Sequence, residues 1–132
     1  LYMIVGQLIS EKGLISMPHN STIREVARVM TENSISSVVL KDEDKIVGII
    51  TERDIVRAVS KGMSYDSPAI DIATKQIIKI DYNKSVYEAY DLMMRNNIRH
   101  LVVEKEGKCI GVISIRDLTR ALSVMLAESM SY

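Results

Sequence analysis

Apolar and polar positions along the chain change period several times, and the same order of changes is written twice. Short apolar runs at residues 14–17 and 77–80 predict strands. Each is followed by a hydroxyl residue with a glutamate three positions on, Thr22-Ile23-Arg24-Glu25 and Ser85-Val86-Tyr87-Glu88. In that arrangement hydroxyl and carboxylate satisfy each other's backbone donors, so a helix is expected to start at both places. Apolar residues then recur at i, i+3, i+4 and i+7: Ile23, Val26, Ala27 and Met30, and again Val86, Ala89, Tyr90 and Met93. One apolar stripe per helix follows. Asn33-Ser34 and Asn96-Asn97 end these helices, asparagine tolerating the left-handed conformation needed there. Strands at 37–40 and 100–103 lead through polar connectors at 41–45 and 104–108 into strands at 46–50 and 109–113, two hairpins. A last helix begins after Thr51 or Ser114; the first stops at Lys61-Gly62, a C-cap glycine, and the second runs on through Leu126.

The repetition is quantitative. A shift of 63 positions, the distance from Asp54 to Asp117, aligns residues 10–60 with 73–123 without a gap. Identical pairs include Asn20/Asn83, Glu25/Glu88, Met30/Met93, Ile35/Ile98, Gly48/Gly111, Arg53/Arg116 and Asp54/Asp117. The chain is a tandem duplication of a β-α-β-β-α unit, with repeats at 8–62 and 72–126 and a linker at 63–71. Neither half is large enough to bury a comfortable core alone. The expected fold is therefore mixed α/β (α+β), both repeats packed with pseudo-two-fold symmetry into one module. Gly48-Ile49-Ile50-Thr51-Glu52-Arg53-Asp54 and Gly111-Val112-Ile113-Ser114-Ile115-Arg116-Asp117 are each an apolar strand closed by a hydroxyl residue, with a carboxylate three positions later. Each strand thus ends at a helix N-terminus, where unpaired amides and the helix dipole favour anionic groups.

Composition narrows the function. Acids and bases balance at 17 each, so no overall field points to nucleic acid or a membrane surface. The core must be mainly aliphatic, since the chain has no Trp and no Phe, with eight Met to fill gaps. The single cysteine, Cys109, lies in an expected strand and suits a reducing interior; no metal or redox chemistry is expected. The five apolar residues before Gly6 fall far short of a signal peptide or a membrane span, which leads to the expectation of a soluble, cytoplasmic protein. There is no nucleophile–base pair, no Cys/His metal spacing and no P-loop glycine pattern, so a catalyst is not expected.

The duplicated Gly-h-h-Ser/Thr-x-x-Asp endings, the β-α-β-β-α order and the Ile98-Arg99-His100-Leu101-Val102-Val103 stretch resemble the cystathionine-β-synthase (CBS) domain family, present as the tandem pair called a Bateman module. The second copy is similar to the nucleotide-binding repeats of the AMP-activated kinase regulatory subunit. The resemblance implies a sensor rather than an enzyme. Such pairs bind adenosine-containing ligands (AMP, ADP, ATP, sometimes S-adenosylmethionine) in two clefts between the repeats, and commonly form flat homodimers. No cofactor is required; an adenine nucleotide, AMP first, is the implied regulatory ligand, and the regulated partner is another, unidentified protein.

Residue by residue, Asp54 and Asp117 are the implied ribose ligands, because a carboxylate can accept from both vicinal hydroxyls. Thr51 and Ser114 lie beside them, and Arg53 and Arg116 are implied phosphate cations, as are Arg99 and His100. The first repeat has Ser36-Ser37 where the second has Arg99-His100, which makes the two clefts unequal. One implied adenine pocket combines Ser10, Ile15, Ile35 and Ser36 with Val112, Ser114 and Asp117; the other combines Thr74, Ile78, Ile98 and Arg99 with Ile49, Thr51 and Asp54. Plainer structural readings stand beside these: the hydroxyl–aspartate pairs as helix caps only, the arginines as solvated surface, the isoleucines as core. A CBS pair with empty clefts, serving only to dimerise or dock, is the alternative function, as is S-adenosylmethionine or NAD in place of an adenine nucleotide.

Overall fold

The structure is a computed structural model that describes residues 3–9 and 13–130. Six strands and four α-helices follow one another in the expected order, each half contributing one three-stranded sheet. In the first sheet β1 (Ser16–Pro18) lies parallel to β2 (Ser37–Asp42), which pairs antiparallel with β3 (Lys45–Thr51). Helix α1 (Ile23–Asn33) connects β1 to β2, and α2 (Glu52–Ser60) follows β3. The second sheet repeats this with β4 (Lys79–Asp81), β5 (His100–Lys105) and β6 (Lys108–Ser114), joined by α3 (Val86–Asn96) and followed by α4 (Ile115–Ser129). The hairpin strands run further than the apolar runs alone predict. Once the central residues pair, the ladder extends outward to Asp42↔Lys45 and Lys105↔Lys108, which leaves turns of two residues.

Local chemistry accounts for the helix ends. Thr22 accepts from the Glu25 amide at 3.1 Å while Glu25 accepts from the Thr22 amide at 3.0 Å, and Ser85 and Glu88 repeat the exchange. At the C-termini Ser34 (φ 53°) and Asn97 (φ 51°) adopt the left-handed conformation. That turn lets the Ile35 and Ile98 amides reach back to the carbonyls of Met30 and Met93, each at 3.0 Å. In the first copy the strained position is therefore a serine, not an asparagine.

The chain divides into two compact units, one of Ile15–Ile77 and one of Leu1–Leu14 with Ile78–Tyr132. In the first, Val26, Met30, Val38, Leu40, Ile50 and Ala69 form the core. In the second, Val5, Val86, Met93, Leu101, Val103, Ile113 and Leu118 do so. Tyr90 does not join the buried stripe of α3: Val86, Ala89 and Met93 are buried, whereas Tyr90 is 43% exposed and lines up with exposed Tyr87 and Met94. Three residues at i, i+3 and i+7 cover the width of one short sheet, so the fourth apolar position turns outward.

Each unit is completed by a segment that comes before the other repeat in the sequence. A 3-10 helix, Ala69–Asp71, caps the first: the Ala69 amide donates to the Ser21 carbonyl at 2.8 Å and the Ile23 amide to the Ser67 carbonyl at 3.0 Å. Another, Val5–Leu8, caps the second, with the Val5 amide on the Lys84 carbonyl at 2.7 Å and the Val86 amide on the Met3 carbonyl at 3.1 Å. Val5 and Ala69 are both fully buried. Residues just beyond these segments press on equivalent glycines. A Cβ added at Gly48 would lie 3.1 Å from the Ala73 Cβ, and one at Gly111 would lie 2.9 Å from the Ile9 Cδ1.

Two outcomes follow from this packing. Gly48→Ala meets an atom tethered directly to the backbone and is expected to cost about 1–3 kcal/mol. Gly111→Ala meets the free end of a side chain and should cost less; chemical denaturation of both variants measures the difference. The second outcome concerns pH. The backbone hydrogen bond from Thr22, with a smaller contribution from its hydroxyl, holds the Glu25 carboxyl below its usual 4.5. A carboxyl lowered on folding stabilises the fold above the unfolded value, and that contribution is lost as pH falls through the folded value. Melting temperatures between pH 5 and pH 3 should accordingly fall less steeply for Glu25→Gln than for the native chain.

Candidate functional site

The corner where β3 becomes α2 is fixed by three short bonds. Thr51, extended at φ −118° and ψ 167°, is the N-cap. Its amide donates to Asp54 Oδ2 at 2.9 Å and its hydroxyl donates to the same oxygen at 3.0 Å. The Asp54 amide donates back to Thr51 Oγ1 at 3.3 Å. The β6–α4 corner is built identically: Ser114 gives Asp117 Oδ2 its amide at 2.7 Å and its hydroxyl at 3.0 Å, and Oγ accepts from the Asp117 amide at 3.3 Å. The capping role is therefore real at both corners. It does not consume the carboxylates. All of these bonds to the side chains fall on Oδ2, so among the described residues Oδ1 of each aspartate keeps its acceptor capacity for a further donor. Asp54 is 7% exposed, the one buried charged residue among the described residues, and Asp117 is half-buried.

The start of the neighbouring strand closes the corner through main chain. The Glu52 amide donates to the Ser36 carbonyl at 3.2 Å, and the Ile115 amide to the Arg99 carbonyl at 2.8 Å. Ser37 lies opposite Thr51 in the ladder, and His100 opposite Ser114. Within one unit the structure thus brings together Ser36, Ser37, Thr51, Arg53 and Asp54; within the other it brings together Arg99, His100, Ser114, Arg116 and Asp117. Among the described residues Arg53, Arg99 and Arg116 enter no ion pair, so their charges stay available. Arg53 is half-buried, while Arg99 and Arg116 are exposed. Sequence reasoning did not find the Ser36 and Arg99 carbonyls as helix-capping groups. A main-chain acceptor leaves no side-chain signature.

The expected apolar contacts divide. Ile49 and Thr74 meet: their backbones exchange two hydrogen bonds, of 2.9 and 2.8 Å, which adds Thr74 to the edge of β3. Ile35 packs against the core of its own unit, and Ile78 and Ile98 against that of theirs. The carbonyls of Ile15 and Ile78 accept from Val39 and Val102, extending each parallel ladder by one residue. Val112 is half-buried in β6, and Ser10 lies outside the described residues. Among the described residues no group of His, Cys, Asp and Glu is placed to hold a metal ion. No helix there is long and apolar enough to cross a membrane.

Comparison with known proteins agrees with this arrangement. The family model of the CBS domain matches twice, over residues 5–61 and 69–124. An uncharacterised 17.7 kDa protein of Acidianus ambivalens is 42% identical over 120 residues, covering 89% of this chain and 72% of that protein. Three further curated relatives are longer, and the chain spans only 36–64% of their length. The inosine-5'-monophosphate dehydrogenase of Methanocaldococcus jannaschii, an enzyme, is 33% identical over 111 residues, which make up 22% of its length. Among solved structures, a CBS domain protein from Pyrobaculum aerophilum complexed with AMP superposes with a TM-score of 0.83 at 36% identity, covering 96% of this chain and 99% of that one. Two matched copies of the domain, two sheets of one topology and two identically capped corners place the chain in the CBS domain family, as a tandem CBS pair.

Proposed function

We propose that the chain is a non-catalytic regulatory module that binds an adenosine-containing ligand, AMP first, through its two strand-to-helix corners. The observation that carries this reading is the pair of aspartates whose Oδ2 is fixed by the cap while Oδ1 receives no hydrogen bond among the described residues. A carboxylate held in one orientation by its neighbours accepts ribose hydroxyls without losing side-chain entropy on binding. Arg53, Arg99, His100 and Arg116 supply cations and donors for the phosphate, next to the first turns of α2 and α4. The AMP complex of the similar Pyrobaculum protein supports the same ligand class. The ligand acts as a signal to the extent that it binds one state of the protein better than another.

Thermal unfolding with AMP, ADP, ATP, NAD and S-adenosylmethionine tests the reading. A ligand at 100 times its dissociation constant adds about 2.7 kcal/mol, a rise of roughly 5–10 °C for a domain of this size. A rise with AMP that is halved or lost in the Asp54→Asn, Asp117→Asn double variant is the expected outcome. No rise with any of the five returns the chain to the docking-module reading, and a rise only with S-adenosylmethionine or NAD moves the ligand within the class.

The same reading includes a homodimer, and α3 favours it. Its outer face carries Tyr87, Tyr90 and Met94, at 53%, 43% and 48% exposure. The corresponding positions of α1 are Arg24, Ala27 and Thr31. One helix of the duplicated pair thus carries an apolar outer stripe that the other lacks, as an interface with a second copy needs. Sedimentation of Tyr90→Glu is expected to give a monomer where the native chain gives a dimer. A native monomer at tens of micromolar, or a variant that still dimerises, contradicts it.

A further inference from the structure

The outer face of α3 is not the only apolar stripe on the surface. On α2, Val56 and Val59 are 66% and 71% exposed, and they share the side of the helix turned away from buried Asp54 and Ala58. The matching positions of α4 are Thr119 and Leu122, and Leu122 packs against the core of its own unit. The two repeats therefore carry their apolar stripes on different helices. In the first unit it lies on the second helix, and in the second unit on the first helix, where Tyr87, Tyr90 and Met94 form it.

The charges beside the two stripes are of opposite surplus. The exposed charged residues of α2 and its C-cap are Glu52, Arg57 and Lys61, two cations to one anion. Those of α3 are Glu88, Asp91 and Arg95, two anions to one cation. Arg57 and Lys61 enter no ion pair among the described residues. Asp91 pairs with Arg95 at 2.9 Å, but both side chains are about two-thirds exposed, and a surface pair of that kind leaves the carboxylate open to a second cation. Position along the helix matters as well. Arg57 follows Val56, while Glu88 and Asp91 follow Tyr87 and Tyr90, so these charges lie on the same flank of their stripes, about 100° round the helix. Two helices laid face to face and antiparallel bring the same flank of each to one side of the seam. A seam between α2 and α3 then sets Arg57 and Lys61, near the end of one helix, beside Glu88 and Asp91, near the start of the other. A seam between two copies of α2, or two copies of α3, leaves a surplus of one sign uncompensated.

From this complementarity we infer that α2 of one copy covers α3 of a second copy, Val56 and Val59 lying on the Tyr87–Tyr90–Met94 stripe with the flanking charges paired. A two-fold axis makes the contact twice, each copy giving both a cationic and an anionic helix. The inference rests on the homodimer reading proposed above and names the surface that the α3 stripe meets.

Sedimentation equilibrium of the whole chain at low salt decides the matter through a charge swap at two exposed positions. Arg57→Glu alone and Asp91→Lys alone each set like charges across the seam, and each should weaken the dimer about tenfold. Combined in one chain they exchange the two signs, so the double variant should return to within about threefold of the native dimer, and high salt should shrink all these differences. Val56→Ser with Val59→Ser, which removes the apolar half of the seam, should weaken the dimer at least tenfold. If Arg57→Glu and the valine substitutions leave a native dimer, or if the charge-swapped double variant is no tighter than the single variants, the α2–α3 pairing is overturned while the dimer stands. If the native chain is a monomer at tens of micromolar, the homodimer reading itself falls, and this inference with it.

Discussion

The architecture depends on a strand that must stop where a helix begins, with the hydroxyl of the last strand residue and the carboxylate of the third helical residue holding each other across the break. At both corners the aspartate receives two donors on one oxygen, from the amide and the hydroxyl of the same cap residue. This arrangement satisfies helix N-terminal amides that would otherwise be orphaned. It also orients an acid whose second oxygen receives no hydrogen bond among the described residues. Capping and the proposed ribose recognition are therefore compatible uses of Asp54 and Asp117, since the cap engages Oδ2 alone among the described residues. The cap reading holds at both corners, and it leaves the proposed ligand role open rather than excluding it.

Duplication explains why the corner recurs, and also why the recurrence is incomplete. The sheet order, bulge position and capping boxes are reproduced nearly residue for residue, the register breaking after Leu40 in one sheet and after Val103 in the other. Core pairs have exchanged one apolar residue for another, as at Val26/Ala89, Val38/Leu101 and Leu40/Val103, whereas changes of chemical character lie mostly nearer the surface. Position 52/115 is charged in one copy and packed against the core in the other, position 36/99 is neutral in one and cationic in the other, and the outer face of α3 is more apolar than that of α1. Core positions tolerate apolar exchanges that keep the packing, so a duplicated chain has most freedom to change chemical character where side chains meet solvent or ligand.

Much of this was legible in the sequence because it depends on local chemistry. The capping boxes at Thr22, Thr51, Ser85 and Ser114 need only residues three positions apart, and all four form. The hairpins were legible for a similar reason. What escaped was non-local. The segments at Val5–Leu8 and Ala69–Asp71 play equivalent roles, yet they stand 64 rather than 63 positions apart and share no identical residue, so a sliding comparison passes over them. Just beyond each segment a small or branched side chain is pushed against a glycine in the middle of a strand, Ile9 on Gly111 and Ala73 on Gly48. That complementarity exists only once the chain has folded. The Ser36 and Arg99 carbonyls escaped for a different reason, since every residue has one. Tyr90 was misplaced because a period of 3.6 allows either edge of a stripe to be the buried one.

The most direct test of the corner as a ligand site is an amide NMR titration of the native chain with AMP. The account predicts that the largest shifts fall on the amides of Thr51 to Asp54 and Ser114 to Asp117, whose donors and acceptors surround the two carboxylates. Saturable shifts confined to other surfaces, with these eight amides unmoved, would contradict it.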